Sequence, residues 1–434
     1  MSVHNKPDCN ACAEYNELSR REFLARSTMA AAVLSAPAWL PQVAYAQTED
    51  TSRDVIVFVF LRGGADGLSI VPPYAENAYY TLRPGLAIRR PDDASVVAAN
   101  RAVDLNGFFG LAPAMGSLLP AYQAGHLLVI HAAGSSDPTR SHFDAQAFME
   151  VGVPGARDVE TGWLARHLVS KPPMKPNAAL RALAFNYGLP LMLAGAPDTL
   201  PIPNPANFAL SGSSSTASQR LAWLGTSFAG QIDPLRASAL NTQRTITELA
   251  AINIGTYQPS GGVVYPTSSF GTALRSTAAL IRADVGVEAV QIDYGGWDTH
   301  NAQGPVTGGM ATTMRTLADA IAAFHTDMVG ANRLGRLTMV VMSEFGRRAA
   351  ENASQGTDHG HGNVMFVMGG STVGGRVLSQ WPGLSAQQLY QGQDVQVTID
   401  YRDILSEIVS RRLGNTQLDV VFPGYAPTFR GAVV

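Results

Sequence analysis

Residues 54–61 (D-V-I-V-F-V-F-L) constrain the fold more than any other part of the chain. The run is apolar throughout and rich in Val and Phe. With no polar face, it suits a strand covered on both sides, as in a parallel sheet. It leads into Arg62-Gly63-Gly64-Ala65-Asp66-Gly67, a turn whose small residues permit close backbone approach. Residues 126–133 (H-L-L-V-I-H-A-A) repeat the pattern and empty into Gly134-Ser135-Ser136-Asp137-Pro138-Thr139-Arg140. A helical stretch follows, with Ser141 and Asp144 spaced as an N-terminal cap pair. Residues 287–294, 337–343 and 363–368 read as further strands, and 182–185 and 191–194 as weaker ones. Helices are expected over 217–254 with a break near Pro234, and over 270–283, 310–328 and 400–413. In the last of these, Ile404, Leu405, Ile408 and Val409 share a face. The order strand, helix, strand at both ends predicts an α/β fold: a doubly wound, mostly parallel sheet with a loop-rich and helical insertion over 196–285.

The N-terminus carries a different signal. Ser19-Arg20-Arg21-Glu22-Phe23-Leu24 precedes an apolar, alanine-rich run over 30–40, broken by Pro37 and followed by Pro41. The run is shorter than the ~20 residues a membrane-spanning helix needs. It ends at Ala44-Tyr45-Ala46, a small-x-small cleavage pattern. Residues 1–46 thus read as a twin-arginine export signal, and the translocase of that pathway is the expected partner. The mature chain is expected to begin near Gln47, to form one domain over 47–434, and to be periplasmic or extracellular. Cys9 and Cys12 both lie in the leader, so the mature chain has no thiolate nucleophile and no disulfide. No later segment is long and apolar enough to span a membrane. Hydrophobic residues make up 46% and charged residues 15%, which allows a large core and argues against disorder. A net charge of −3 gives no electrostatic case for nucleic acid.

In open α/β sheets ligands bind beyond the carboxyl ends of the strands. Four such ends carry unusual chemistry here: 62–67, 135–142, 293–300, and 343–347 together with 358–362. His142, His300, His359 and His361 all fall within them, beside Asp298, Glu344 and Asp358. Imidazole with carboxylate suits zinc, manganese or iron. Asp298-x-His300 and His359-x-His361 each place two ligands on one side of an extended segment. Any single one of these histidines is as readily a loop residue bonded to a carbonyl; the group is what points to a metal. The candidate ligands are Asp298, His300, Glu344, Asp358, His359 and His361. In the second segment, a serine at a strand-to-helix turn meets backbone N–H groups that can hold an oxyanion. Ser136 is the first choice of nucleophile and Ser141 the second, although Ser141 suits a helix cap equally well. Arg140 could clamp the same anion. His167 and His325 read as surface or packing residues.

The motifs R-G-G-A-D-G-L, D-P-T-R-S-H-F-D-A-Q, G-G-W-D-T-H, S-E-F-G-R and D-H-G-H-G, followed by D-Y-R-D from Asp400, make the chain resemble the exported bacterial domain-of-unknown-function family 1501. That family is grouped with the alkaline phosphatase and sulfatase superfamily. The resemblance implies a sheet of that type and a site at its strand ends. It supplies no reaction. In the sulfatase pattern C/S-x-P-x-R, Ser136-Asp137-Pro138-Thr139-Arg140 matches. Asp298, His300 and His361 (or His359) are similar in order to the phosphatase ligands of one metal. The second metal's aspartate would stand straight after the first strand, where this chain has Arg62-Gly63, with Asp66 a few residues on. The usual late Asp-His pair is replaced by Glu344-Phe345. The clustered ligands and the oxyanion turn, set on such a fold, give as the first expectation an exported metal-dependent hydrolase of phosphate or sulfate esters, acting on a small-molecule or polymer ester. Its divalent cofactor would be zinc, manganese or calcium. A one-metal enzyme, an altered reaction, and a non-catalytic periplasmic or surface binding protein on a degenerate fold all stay open.

Overall fold

A computed structural model of the chain describes residues 52–434. The twin-arginine segment, its cleavage pattern, and Cys9 and Cys12 lie outside the described residues. The apolar runs form the strands β1 (Val55–Leu61), β2 (Leu127–Gly134) and β3 (Ala182–Ala184), and the short segment Thr199–Pro201 adds β4. Further along lie β5 (Ala289–Tyr294), β6 (Leu337–Ser343), β7 (Asn363–Gly369), β8 (Arg376–Ser379) and β9 (Ile399–Asp400). They build one nine-stranded sheet in the order β8-β2-β7-β6-β1-β5-β3-β4, with β9 also on β2. β7 runs antiparallel to β2 and β6. The remaining pairings are parallel.

The main helices are α1 (His142–Val151), α2 (Trp163–Ser170), α3 (Ala217–Phe228) and α4 (Leu235–Ile252), then α5 (Ser269–Ala283), α6 (Gly309–Gly330) and α7 (Tyr401–Arg411). Side chains alternate across a strand, so each central strand feeds two cores. Val57, Val59 and Leu61 of β1 join Leu274 of α5 and Met314, Leu317 and Phe324 of α6. Ile56, Phe58 and Phe60 join Trp163 of α2 and Ile404, Leu405 and Ile408 of α7. The sheet is therefore sandwiched between helical layers, as the doubly wound reading requires.

Three local readings change. Residues 191–194 are not a strand: Leu191–Leu193 forms one 3-10 turn, in which Leu193 N–H bonds back to Pro190 C=O. Residues 197–216 contain the short strand β4, which adds to the edge of the sheet at β3. In the central insertion, α3 buries no residue, whereas α5 buries Phe270, Leu274 and Leu280 in the core beside the sheet.

His131 of β2 and His167 of α2 are both buried. Burial pushes His131 down to about 4. It pushes His167 down to about 3, with the charges of Arg53, Arg181 and Lys171 adding to the effect. In the unfolded chain both titrate at the ordinary value of 6.5. Between that value and the folded values the unfolded chain binds more protons, so stability falls as the pH falls. The contribution is complete above about pH 6.5 and is lost toward pH 4 for His131 and toward pH 3 for His167, on the order of 3 and 5 kcal/mol respectively. Urea midpoints at pH 7 and pH 4.5 should differ accordingly, and His167→Gln should flatten the profile. An unchanged midpoint over this interval would contradict the assignment.

Candidate metal centre

β2, β7, β6, β1 and β5 are neighbours, and all but β7 run the same way. Antiparallel β7 starts where the others end. The segments following β1, β2, β5 and β6 therefore meet the segment preceding β7 at one edge. Two glycines allow the closest approach. Gly63 has φ +118°, and a Cβ there would stand 2.7 Å from the Asp298 nitrogen. Gly64 has φ +62°, and a Cβ would lie 2.5 Å from the Phe345 ring. A side chain at either position would be strained and would push the loops apart.

One oxygen, Asp298 Oδ1, is the hub. It lies 3.1 Å from His300 Nε2, 3.3 Å from His359 Nε2 and 3.6 Å from His142 Nε2. It also accepts a hydrogen bond of 2.6 Å from Arg347 Nη2. The ligand atoms of His142, Asp298 and His359 all lie within 4.8 Å of one another. His300 Nε2 and His359 Nε2 are 3.0 Å apart.

The far side of each ring is anchored. His142 Nδ1 faces Glu344 Oε1 at 2.8 Å, His300 Nδ1 faces Asp358 Oδ1 at 3.3 Å, and His359 Nδ1 faces the Arg140 carbonyl at 2.9 Å. All three partners are acceptors, so each Nδ1 is placed to donate outward while each Nε2 is turned inward toward Asp298 Oδ1. An acceptor behind each imidazole is the arrangement that orients metal-binding histidines. His142 Nε2 is buried with no hydrogen-bond partner. Three imidazole nitrogens converge on one carboxylate oxygen, each with its other ring nitrogen already turned to an acceptor. The donor set therefore fits a divalent ion.

The electrostatics agree. Burial would raise Asp298, but hydrogen bonds from His142, His300, His359 and Arg347 hold it far below the usual carboxylate range. Burial likewise opposes ionisation of Glu344, yet bonds from His142 and Gln146 and the charge of His142 bring it down to about 2. For His142, burial is outweighed by the Asp298 and Glu344 carboxylates on its two sides, which raise it to about 9. The cluster draws in positive charge, and a metal ion would displace that proton.

The predicted residues separate into distinct places. Asp298, His300 and His359 come together. Glu344 stands behind His142: its Oε1 accepts from His142, from Gln146 Nε2 at 2.8 Å and from Gly63 N at 2.9 Å, and its Oε2 from Ser343 Oγ at 2.8 Å. Asp358 stands behind His300 and also accepts from Asn352 Nδ2 at 3.2 Å. His361 points elsewhere and stacks on Tyr390 with ring centres 4.8 Å apart. The chain bends at His361, so the two-residue alternation that would pair it with His359 fails there.

The Arg140 guanidinium bonds Asp394 and Gln391, while its carbonyl holds His359. Ser136 is exposed, and its hydroxyl accepts from Arg402 Nη2 at 3.2 Å. Ser141 occupies the N-cap of α1, but its side chain makes no cap hydrogen bond. The earlier capping expectation therefore holds for its position and not for its hydroxyl. Asp66 is fully buried, where Arg83 Nη1 donates to its Oδ2 at 2.5 Å and Arg83 Nη2 to its Oδ1 at 3.0 Å; Ser69 and Gln303 add bonds.

His142, as a member of the inner group, and Arg347 were absent from the predicted ligand set. For His142 the signal was present: it opens the helix after the β2 turn, and with Gln146 it has the i, i+4 spacing that puts both on one face of α1, toward Glu344. Trp297 is buried and donates its indole N–H to the Tyr294 carbonyl, so it packs.

No curated protein sequence matches the chain. Among solved structures, it is similar to Ps i-CgsB in complex with k-i-k-neocarrahexaose (10% identity, TM-score 0.40, 86% of this chain and 74% of that one). It is also similar to the PsFucS1 sulfatase from Pseudoalteromonas sp. (12%, 0.38, 94% and 77%). A third is a protein in the alkaline phosphatase superfamily from Vibrio parahaemolyticus (9%, 0.34, 77% and 64%). The region that supplies Asp298, His300, Arg347 and His359 lies within residues 257–421, which match the family model described as "Protein of unknown function (DUF1501)".

Proposed function

We propose that this chain is an exported, metal-dependent hydrolase of phosphate or sulfate esters. The observation that carries the reading is the convergence of three imidazole Nε2 atoms on Asp298 Oδ1, each ring backed by an acceptor at Nδ1. A bound divalent ion, zinc, manganese or calcium, would supply Lewis acidity toward an ester oxygen. His142, His300, His359 and Asp298 would hold it, with Glu344 and Asp358 orienting two of the rings.

Ser141 is the better-supported nucleophile. Its hydroxyl makes no cap bond, and it sits between Arg140, whose carbonyl holds His359, and His142. In that role its oxygen would bond to the phosphorus or sulfur as the bond to the alcohol breaks. The serine proton would leave with the alcohol, and water would then cleave the serine ester, releasing phosphate or sulfate and restoring the hydroxyl. Ser136 remains the alternative, with its hydroxyl held by Arg402. On metal-loaded protein, aryl phosphate and aryl sulfate panels should show turnover. Ser141→Ala should lower it by several orders of magnitude, as loss of a nucleophile does. If Ser136→Ala abolishes turnover and Ser141→Ala does not, the nucleophile is Ser136.

One observation favours a second reading, a binding protein that keeps the metal without catalysis. Arg62, Arg140 and Arg347 each already have a carboxylate partner, so none is free for an anionic ester. Absence of turnover on every ester by metal-loaded protein would favour it.

Export is part of the proposal, with the twin-arginine translocase as partner. Arg20→Lys with Arg21→Lys should block it, because lysine lacks the planar guanidinium fork. Normal extracytoplasmic accumulation of the double variant, or an exported chain that still begins at Met1, would overturn this route.

A further inference from the structure

We infer that the guanidinium of Arg347 is a built-in cation of this centre and limits it to a single divalent ion. The inference rests on the metal reading above. Arg347 is fully buried. Its Nε donates to the Gly64 carbonyl at 2.5 Å and its Nη1 to the Thr357 carbonyl at 3.0 Å. Its Nη2 donates to Asp298 Oδ1 at 2.6 Å, to the Trp297 carbonyl at 3.2 Å and to the Gly63 carbonyl. Every guanidinium nitrogen is engaged, by segments that follow β1 and β5 and precede β7. The group is clamped, and an arginine does not give up its proton.

A carboxylate that bridges two divalent ions needs an oxygen open to each. On Asp298, the oxygen facing the histidines already carries the guanidinium. A second ion approaching that oxygen would meet the fixed positive charge of a buried guanidinium 2.6 Å away. The other carboxylates nearby offer no substitute. Both Glu344 oxygens are engaged by His142, Gln146, Gly63 and Ser343. Both Asp66 oxygens are held by Arg83. Asp358 Oδ1 serves His300 and Asn352, and its Oδ2 lies 3.8 Å from Arg348. One ion has the converging donors of His142, Asp298 and His359, with His300 beside them; no other group of three or more such donors occurs among the described residues.

Native mass spectrometry of the full chain loaded with excess zinc or manganese should show one equivalent. Anomalous diffraction from manganese-soaked crystals should place one peak among the histidines, with Arg347 still bonded to Asp298. Two ions, or one ion with Arg347 displaced, would overturn the inference and leave the metal reading intact. No bound ion would overturn both. One ion with Arg347 in place but no ester turnover would leave the inference standing and remove the hydrolase reading. Arg347→Met should admit a second equivalent or tighten the first at least tenfold, whereas Arg347→Lys, which keeps the charge, should stay at one. A folded Arg347→Met with one equivalent at wild-type affinity would also overturn the inference. If that variant does not fold, the wild-type crystal decides.

Discussion

Asp298→Asn is expected to strip the protein of stoichiometric metal while leaving its fold in place. The amide still offers an oxygen to Arg347 Nη2, so the bond that now measures 2.6 Å has a replacement. What disappears is the negative charge on which His142, His300 and His359 converge. Loss of a residue behind a metal ligand typically costs 10–100-fold in affinity, so loss of the central carboxylate should cost at least ~100-fold. Glu344→Gln is the comparison. It removes an outer charge behind His142, and should cost about 10-fold or somewhat more on the same principle. Elemental analysis after gel filtration and competition with a chelator read both effects. Full metal retention by Asp298→Asn at an unchanged chelator midpoint would sink the assignment of the centre.

The second large effect concerns stability. Asp66→Ala should destabilise the protein by about 3–5 kcal/mol, because it leaves the buried Arg83 guanidinium without its counter-charge. Arg83 and Asp66 are both essentially inaccessible to solvent. The remaining Arg83 acceptors are the Ala349 and Arg348 carbonyls and Ser69 Oγ, none of which carries charge. The urea midpoint should fall with the slope unchanged. Metal content should stay at the wild-type level, since the pair belongs to the scaffold. A variant that keeps its midpoint but loses its metal would show that Asp66 serves the centre directly.

The contrast between these two aspartates illustrates what a sequence can and cannot resolve. Both follow a buried strand and both sit in glycine-rich turns, so the local pattern reads alike. Their roles diverge because of partners distant in the chain. Arg83 reaches Asp66 from 17 residues away, while Arg347 reaches Asp298 from 49. The same holds for Glu344. As a carboxylate beside a strand end it is a natural ligand candidate, but His142, 202 residues away, occupies it from behind. His359 and His361 look equivalent as an H-x-H pair until a bend turns one toward Asp298 and the other onto Tyr390.

The sequence by itself did not mark the short strands β4, β8 and β9, but it determined the main buried strands, the helical layers and the edge where chemistry gathers. Those follow from local composition: apolar runs long enough to cross a core, periodic helices, and glycine turns where strands stop. It also confined the candidate ligands to four segments. Only the tertiary structure decided which of them point inward, that His142 joins them, and that a buried arginine shares their carboxylate. A hydrogen bond or ion pair forms over about 3 Å of space, whatever the separation along the chain. The groups that orient each imidazole come from different strand ends, brought together by sheet order and by the antiparallel entry of β7. Their geometry is set by which strands become neighbours.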